Sequence, residues 1–471
     1  MRERVKTETL NTGSAFSEAM RLFFMSRWYP VHIAILLIVG RITELEVYVA
    51  IFELVLIATA LLVCDTLRPL IPMLLTFLYR IALPHSPGIP YFTDYLFSGT
   101  KMVVFVIAAA FAFASLVYFA VRNKIFAGAS AGNIPLLLPI AFLSISFLLG
   151  GAFSEGWSFS DLGFALLQCL VFGALFFILY FGLRKENVSE LCDYFIYVSA
   201  ICALILIAEV IHLYATDEGL LSGGTIQKTH IFFGWGISNT AGGCLTALVP
   251  ICFLGAIRSR RSLLYFAIAT LSMLATVLTL SRNAILFGTV FYITSLIICC
   301  IKGRKRWLYK RIAMCYIPVA LILFIIFREK ITLMLANMTA MGFNNNGRYA
   351  LWRIAGENFR KSPVFGIGYF SYECSVSITS TFAPQLAHNT IFQVFSSMGI
   401  FGMLAYAAYR VVSLVPFFEK PRVEKTMLLL SVGVLLAESL LDNFIFWFNP
   451  TFVYNICIVL AIMYNEQTQK T

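Results

Sequence analysis

The chain has 471 residues, 60% of them hydrophobic and only 13% charged, with 44 phenylalanines and a mean hydropathy of +0.84. So few charges cannot cover the surface of a soluble domain, which excludes a soluble globular enzyme or binding module. The net charge of +11 is spread over short, separated basic clusters, so no nucleic-acid-binding patch is expected.

Residues 1–28 open with the polar stretch MRERVKTETLNTGSAF, which is not followed by a small-residue cleavage site. They are expected to form a cytoplasmic N-terminal segment. Apolar runs then recur near 29–41, 45–64, 69–83, 101–121, 134–151, 162–183, 190–214, 239–256, 263–281, 284–301, 312–328, 388–409, 426–441 and 448–464. Each reads as a membrane-spanning helix. The first and third are short for a hydrocarbon core of ~30 Å, so the pattern predicts about 12 to 14 spans. The expected architecture is an all-α polytopic bundle. It comprises transmembrane helices over 29–328, a long loop over 329–387, C-terminal transmembrane helices over 388–464 and a cytoplasmic tail over 465–471.

Lys and Arg cluster at Arg2/Arg4/Lys6, Arg122/Lys124, Arg184/Lys185, Arg258/Arg260/Arg261, Lys302 to Arg311 and Lys420/Arg422/Lys425. With fourteen spans, all of these fall on one side together with both termini. The positive-inside rule makes that side the cytoplasm. The opposite face carries five connections, four of them short. The fifth, 329–387, is far longer than an ordinary helix connection and is where function is expected.

The eleven cysteines lie almost entirely in predicted spans and form no metal spacing. They read as small buried hydrophobes, with only Cys374 in an outer loop. The sequons at Asn187 and Asn337 read as chance occurrences. No internal repeat is present.

Three outer features carry chemistry. Arg282, in LATVLTLSRNAILFG, interrupts an apolar stretch from 263 to 301 that is too long for one span, so it falls at the outer membrane boundary, at the depth of a phosphate headgroup. In the long loop, REKITLMLANMTAMGF reads as an amphipathic helix, and RYALWRIAGENFRKS as a second helix ended by Pro363. On that second helix Arg348 and Trp352 share one face, and Arg353 and Arg360 another. His388 and Asn389 fall in the first turn of the next apolar helix. The other histidines, His32, His85, His212 and His230, are scattered. Guanidinium groups suit phosphate oxygens, and an imidazole suits proton removal from a hydroxyl. Arginines and a helix start at the outer surface therefore read as a diphosphate-lipid site. No paired carboxylates of glycosidase type and no outward-facing DxD-like pair stand in the long loop, which holds Glu329, Glu357 and Glu373.

LSRNA at 280–284, GRYALW at 347–352, SPVFGIGYFSY at 362–372 and AHNTIFQVFSSMGIFGMLAY at 387–406 resemble, in order and spacing, the bacterial O-antigen ligase and Wzy-type polymerase superfamily. GWGISNTAGG at 234–243 is similar to the family's earlier asparagine-containing segment, with Asn239 at the matching position. Asn283 departs from the glycine usual after the arginine. The resemblance implies a GT-C-like glycosyltransferase of the plasma membrane whose donor glycan hangs from undecaprenyl diphosphate in the outer leaflet. It implies inverting transfer with no metal, nucleotide sugar or other cofactor. On these positions Arg282 and Arg348 would hold the diphosphate, with Arg353 a further candidate, and His388 would be the base. Asn239, Trp352 and Asn389 would support them. The expected partners are the lipid-linked donor, an acceptor glycan, the bilayer and, in some systems, a chain-length regulator.

A polymerase that lengthens the glycan and a ligase that moves it to a lipid or protein acceptor would share this site. The Lys, Ile, Phe and Cys content reads as that of a low-GC Gram-positive source, where no lipid A acceptor exists, and so favours the polymerase. A flippase without chemistry is the third reading. Transporters usually bind substrate at the membrane midplane between repeats, whereas here the unusual polar residues gather on the outer face.

Overall fold

The computed structural model describes residues 12–76, 99–127, 134–153, 159–217, 220, 231–233, 236–316, 318, 325, 328–329, 332, 348–368, 387–442 and 448–469. It is a helical bundle whose sole described β structure is a two-residue antiparallel ladder, Phe232–Phe233 with Gly236–Ile237. The helices are α1 (Thr12–Met25), α2 (Trp28–Ile42), α3 (Glu46–Val63), α4 (Met73–Thr76), α5 (Gly99–Arg122), α6 (Leu137–Ala152), α7 (Phe159–Cys169), α8 (Leu175–Leu183), α9 (Val188–Thr216), α10 (Ser238–Arg258), α11 (Ser262–Leu278) and α12 (Arg282–Lys302). A helical segment over 306–316, α13, is followed by α14 (Arg348–Lys361), α15 (Thr390–Phe418), α16 (Val423–Ser439) and α17 (Phe448–Gln469).

Among the described residues, eight helices are long and apolar enough to cross a membrane, or nine if the bent α1–α2 pair counts as one span. Two shorter apolar helices, α6 and α11, join them in the bundle. The segment expected as a short span at 29–41 is one limb of that pair, which bends by 77° at Ser26–Arg27. Ser26 makes the corner: its hydroxyl donates to the Phe23 carbonyl (2.7 Å) and accepts from the Trp28 amide (3.1 Å). The expected span at 69–83 begins as a 3-10 turn (Arg68–Leu70) and the single turn of α4. The remainder of that span, most of 317–347 with its expected amphipathic helix, and Cys374 all lie outside the described residues.

α10 is the hub. It is apolar on all sides, its middle is buried throughout, and it packs against α9, α11, α12 and α16. A helix apolar all round belongs inside a bundle, whereas α5 and α12 leave long apolar faces outward, as lipid-facing helices do. Nearly all the described cysteines are buried in this packing. Asn187, first seen as part of a sequon, caps α9 by accepting from the Ser189 and Glu190 amides.

From α9 to α12 and from α15 to α17 the chain reverses at each helix: the end of α10 meets the starts of α9 and α16 at Arg258, the ends of α9 and α11 meet, the starts of α10 and α12 abut, and the ends of α15 and α17 meet at Asn465. One end carries, among the described residues, Arg184, Arg258, Lys302 and Lys425. There Arg258 ties three helices together, pairing with Asp193 of α9 (2.7 Å) and Glu424 of α16 (2.6 Å). The other end holds the starts of α10, α12 and α15 and the end of α16.

α15 is two helices joined at a break. Gly399 sits at φ +62°, ψ −160°, which interrupts the backbone ladder. The segment 363–368 fills the break. Ile367 and Gly368 amides donate to the Ser396 and Ser397 carbonyls (both 3.0 Å), and Ile400 and Phe401 amides donate to the Pro363 and Val364 carbonyls (2.9 and 3.2 Å). Broken helices at membrane depth persist when neighbouring backbone satisfies the freed groups, and here α14's own C-terminal extension does so. α14 and the start of α15 thereby become one rigid unit. The stacked rings of Phe359 and Phe395 add to it.

Candidate functional site

The turn before α15 is built from Ala387, His388 and Asn389. Asn389 is the N-cap: its Oδ1 accepts from the Ile391 and Phe392 amides (2.8 and 3.1 Å), and its Nδ2 donates to the Leu440 carbonyl at the end of α16 (2.6 Å). His388 thus stands just before the helix rather than in its first turn. The Ala387 amide donates to Gln393 Oε1 (2.8 Å), and Thr390 Oγ1 donates to the Asp442 carbonyl (3.3 Å). Fixed from both sides, His388 adopts φ +47°, in the left-handed region that non-glycine residues enter at a cost.

The imidazole's partner is Asp442, three residues beyond α16, with His388 Nδ1 at 3.1 Å from Oδ1. The second carboxylate oxygen lies 3.5 Å from Nδ2 of Asn239, in the first turn of α10. Asp442 is largely buried and His388 is about 39% exposed, so the carboxylate lies behind the ring and the ring faces out. With Nδ1–H donating to the carboxylate, the lone pair of Nε2 is left to accept a proton, and Nε2 makes no hydrogen bond among the described residues.

Arg282 begins α12, next to this group. Its N-cap, Ser281, accepts from the Ala284 amide (3.4 Å), and the preceding Leu280 is at φ +54°. Gly242, one turn into α10 from Asn239, lies against Thr279, Ser281 and Ala284, so the starts of α10 and α12 abut. From the other side, Trp352 Nε1 donates to the Ala387 carbonyl (3.0 Å), and the indole stacks on Phe392. Arg348 precedes Trp352 by one turn on the same, half-buried face of α14.

Contacts therefore run from Asn239 through Asp442, His388 and Ala387 to Trp352, while the start of α10 that carries Asn239 abuts the start of α12 that carries Arg282. Neither Arg282 nor Arg348 makes an ion pair or hydrogen bond among the described residues, in contrast to Arg41, which Glu46 and Glu209 neutralise. The structure separates Arg353 from the group: it lies on the exposed face of α14, 75% exposed, 3.7 Å from its own helix neighbour Glu357. Arg360 and Lys361 are exposed as well. Among the described residues, no three His, Cys, Asp or Glu side chains gather as metal ligands.

Residues 267–407 match the family model described as O-antigen ligase. Over that stretch, less than half of its length, the chain is similar to O-antigen ligases. The match supports a ligase- or polymerase-related role in surface-glycan assembly. The matched segment includes Arg282, Arg348, Trp352, His388 and Asn389, while Asn239 and Asp442 lie outside it. No curated protein matches the chain.

Asp442 is the site residue that sequence reasoning missed. It lies outside the long loop, in a short connection 54 residues beyond its histidine. The available signal was an acidic residue just beyond the end of a long, mostly apolar helix.

Proposed function

We propose that the protein is a polymerase of surface-glycan assembly. It moves a glycan from an undecaprenyl-diphosphate donor to a sugar hydroxyl of an acceptor glycan. The observation that supports this reading is the His388–Asp442 pair, its carboxylate beside Asn239 and its turn anchored by Trp352, with Arg282 and Arg348 at the starts of the neighbouring helices α12 and α14. In the proposed step Nε2 of His388 takes the proton of the acceptor hydroxyl as that oxygen attacks the anomeric carbon. The bond from that carbon to the diphosphate breaks, inverting the centre. Negative charge grows on the departing diphosphate, where Arg282 and Arg348 neutralise it, and preformed cations of this kind lower such barriers effectively. Asp442 steadies the imidazolium that forms, and Asn239 holds the carboxylate. Asn389 and Trp352 fix the turn that carries the base.

Sidedness follows from charge. The site occupies the end of the bundle away from the basic clusters, which the positive-inside rule makes extracytoplasmic. That is the leaflet in which the resemblance places the donor.

The reading is tested with purified protein and polyprenyl-diphosphate-linked glycan. Longer glycan and free polyprenyl diphosphate are expected to appear together. Arg282→Glu and Arg348→Glu are expected to weaken donor binding at least tenfold. Unchanged donor binding in both variants would remove the anion site. The description of the matched family supports a second reading, in which the acceptor is a lipid or protein. It is distinguished by adding that acceptor to the same assay and finding the glycan on it at unchanged length.

A further inference from the structure

α14 presents two aromatic rings beside the base. Tyr349 and Trp352 are three residues apart on one flank of the helix and meet edge to face, with centroids 5.4 Å apart and planes at 81°. Trp352 is immobilised three ways. It stacks on Phe392 (5.1 Å, 8°), bears the Tyr349 ring on its edge, and donates its N–H to the carbonyl immediately before His388. Tyr349, held against this fixed ring, is 67% exposed. The result is a preorganised aromatic ledge that ends one peptide unit from the imidazole.

We infer that this ledge, with the open face of Tyr349 as its floor, is the subsite for a pyranose ring of the acceptor glycan. The inference rests on the glycan-transfer reading and deepens it. A pyranose presents a face of C–H groups carrying partial positive charge, which complements the negative face of an aromatic ring while the hydroxyls stay free around the rim. Rigid rings suit this role, because ordering them on binding costs little entropy. The acceptor rather than the donor is assigned because the ledge is anchored to the base. The Trp352 hydrogen bond fixes it relative to His388, so a sugar seated there brings its hydroxyls towards Nε2. Arg282, at the start of α12, is left to the diphosphate.

Full-length protein in lipid nanodiscs, probed with lipid-free tetrasaccharides of N-acetylglucosamine and of glucose, tests the subsite without any turnover. Saturation-transfer NMR is expected to show aromatic-to-sugar transfer onto the ring C–H protons of at least one probe. Tyr349→Ala should weaken that binding roughly 3- to 10-fold, the range expected for loss of one aromatic contact, and Tyr349→Phe should retain it. In the transfer assay Tyr349→Ala should raise KM for the acceptor and leave KM for the donor unchanged. Saccharide binding unaffected by Tyr349→Ala would overturn the subsite and leave the ring a membrane-interface anchor. A rise confined to the donor KM, or no binding of either probe to the wild type, would overturn it equally. Tyr349-dependent saccharide binding without transfer would uphold the subsite and sink the transfer reading instead.

Discussion

His388 carries two separable properties, an imidazole and a left-handed backbone. The second costs about 1 kcal/mol or more for a residue with a side chain, a cost that glycine avoids. His388→Ala keeps that cost and removes the ring, whereas His388→Gly removes both. Both variants should lose transfer by roughly 10²- to 10⁴-fold, the usual worth of a positioned general base. Thermal unfolding in detergent should find the glycine variant the more stable of the two, by about 1 kcal/mol. Equal melting temperatures would mean that the turn relaxes and that its geometry is not imposed by Asn389 and Ala387. The His388–Asp442 pair predicts a second result. Asp442→Asn should impair transfer on its own, yet add nothing in the His388→Ala background, because residues acting as a unit are not additive. Additive losses in kcat/KM would show that Asp442 acts elsewhere. At this scale the sequence was informative wherever chemistry and local context coincide. Arg282 interrupts an apolar run, and His388 opens one. Asp442 was invisible because its meaning comes from a tertiary contact with the turn before α15. Helical spacing already set Arg353 on a different face from Arg348, and α14 leaves Arg353 exposed beside Glu357.

At the scale of elements, the site depends on the splice between the segment 363–368 and the break in α15. A Cβ at Gly366 would overlap the backbone of Ser397 and Met398, and one at Gly399 the backbone of Val364; both residues also have positive φ. Gly366→Ala and Gly399→Ala should each destabilise by roughly 2 kcal/mol or more and reduce transfer, since α14 and the His388 turn would no longer share one frame. Gly356→Ala, on α14 with open space around its Cα, should be neutral or stabilising by up to about 1 kcal/mol. Melting curves and transfer rates for the three variants make the comparison, and equal behaviour of all three would rule out the splice as a support. The sequence showed paired glycines after Pro363 and suggested a tight turn. It could not show that the turn's amides and carbonyls complete another helix, because hydrogen-bond partners 30 or so residues apart leave no periodic trace.

For the whole molecule, the pattern that matters is the alternation of helix direction, which among the described residues sets Arg258 and the starts of α9 and α16 apart from the His388 group. Most of this was legible, because spans are long apolar runs and Lys and Arg mark one side. The described helices reproduce that alternation from α9 to α12 and again from α15 to α17. The details that escaped, such as the 77° corner between α1 and α2, come from local contacts, the Ser26 hydrogen bonds and the rings of Phe23, Phe24 and Tyr29 packed around it, rather than from hydropathy. The alternation predicts that Glu357→Cys in intact cells reacts with a membrane-impermeant maleimide, and that Lys305→Cys reacts only after the membrane is opened. Labelling is read against the unsubstituted chain, whose exposed Cys315 sets the background. The reverse pattern would put the site on the cytoplasmic side, away from an outer-leaflet donor.

The most direct measurement is a single turnover at matched donor occupancy, comparing wild type with His388→Ala, each loaded with polyprenyl-diphosphate-linked glycan and then mixed with acceptor. The wild type should form the new glycosidic bond and release polyprenyl diphosphate, while the variant holds the same amount of donor and forms neither product above background. Transfer by His388→Ala at the wild-type rate would contradict the assignment of the base.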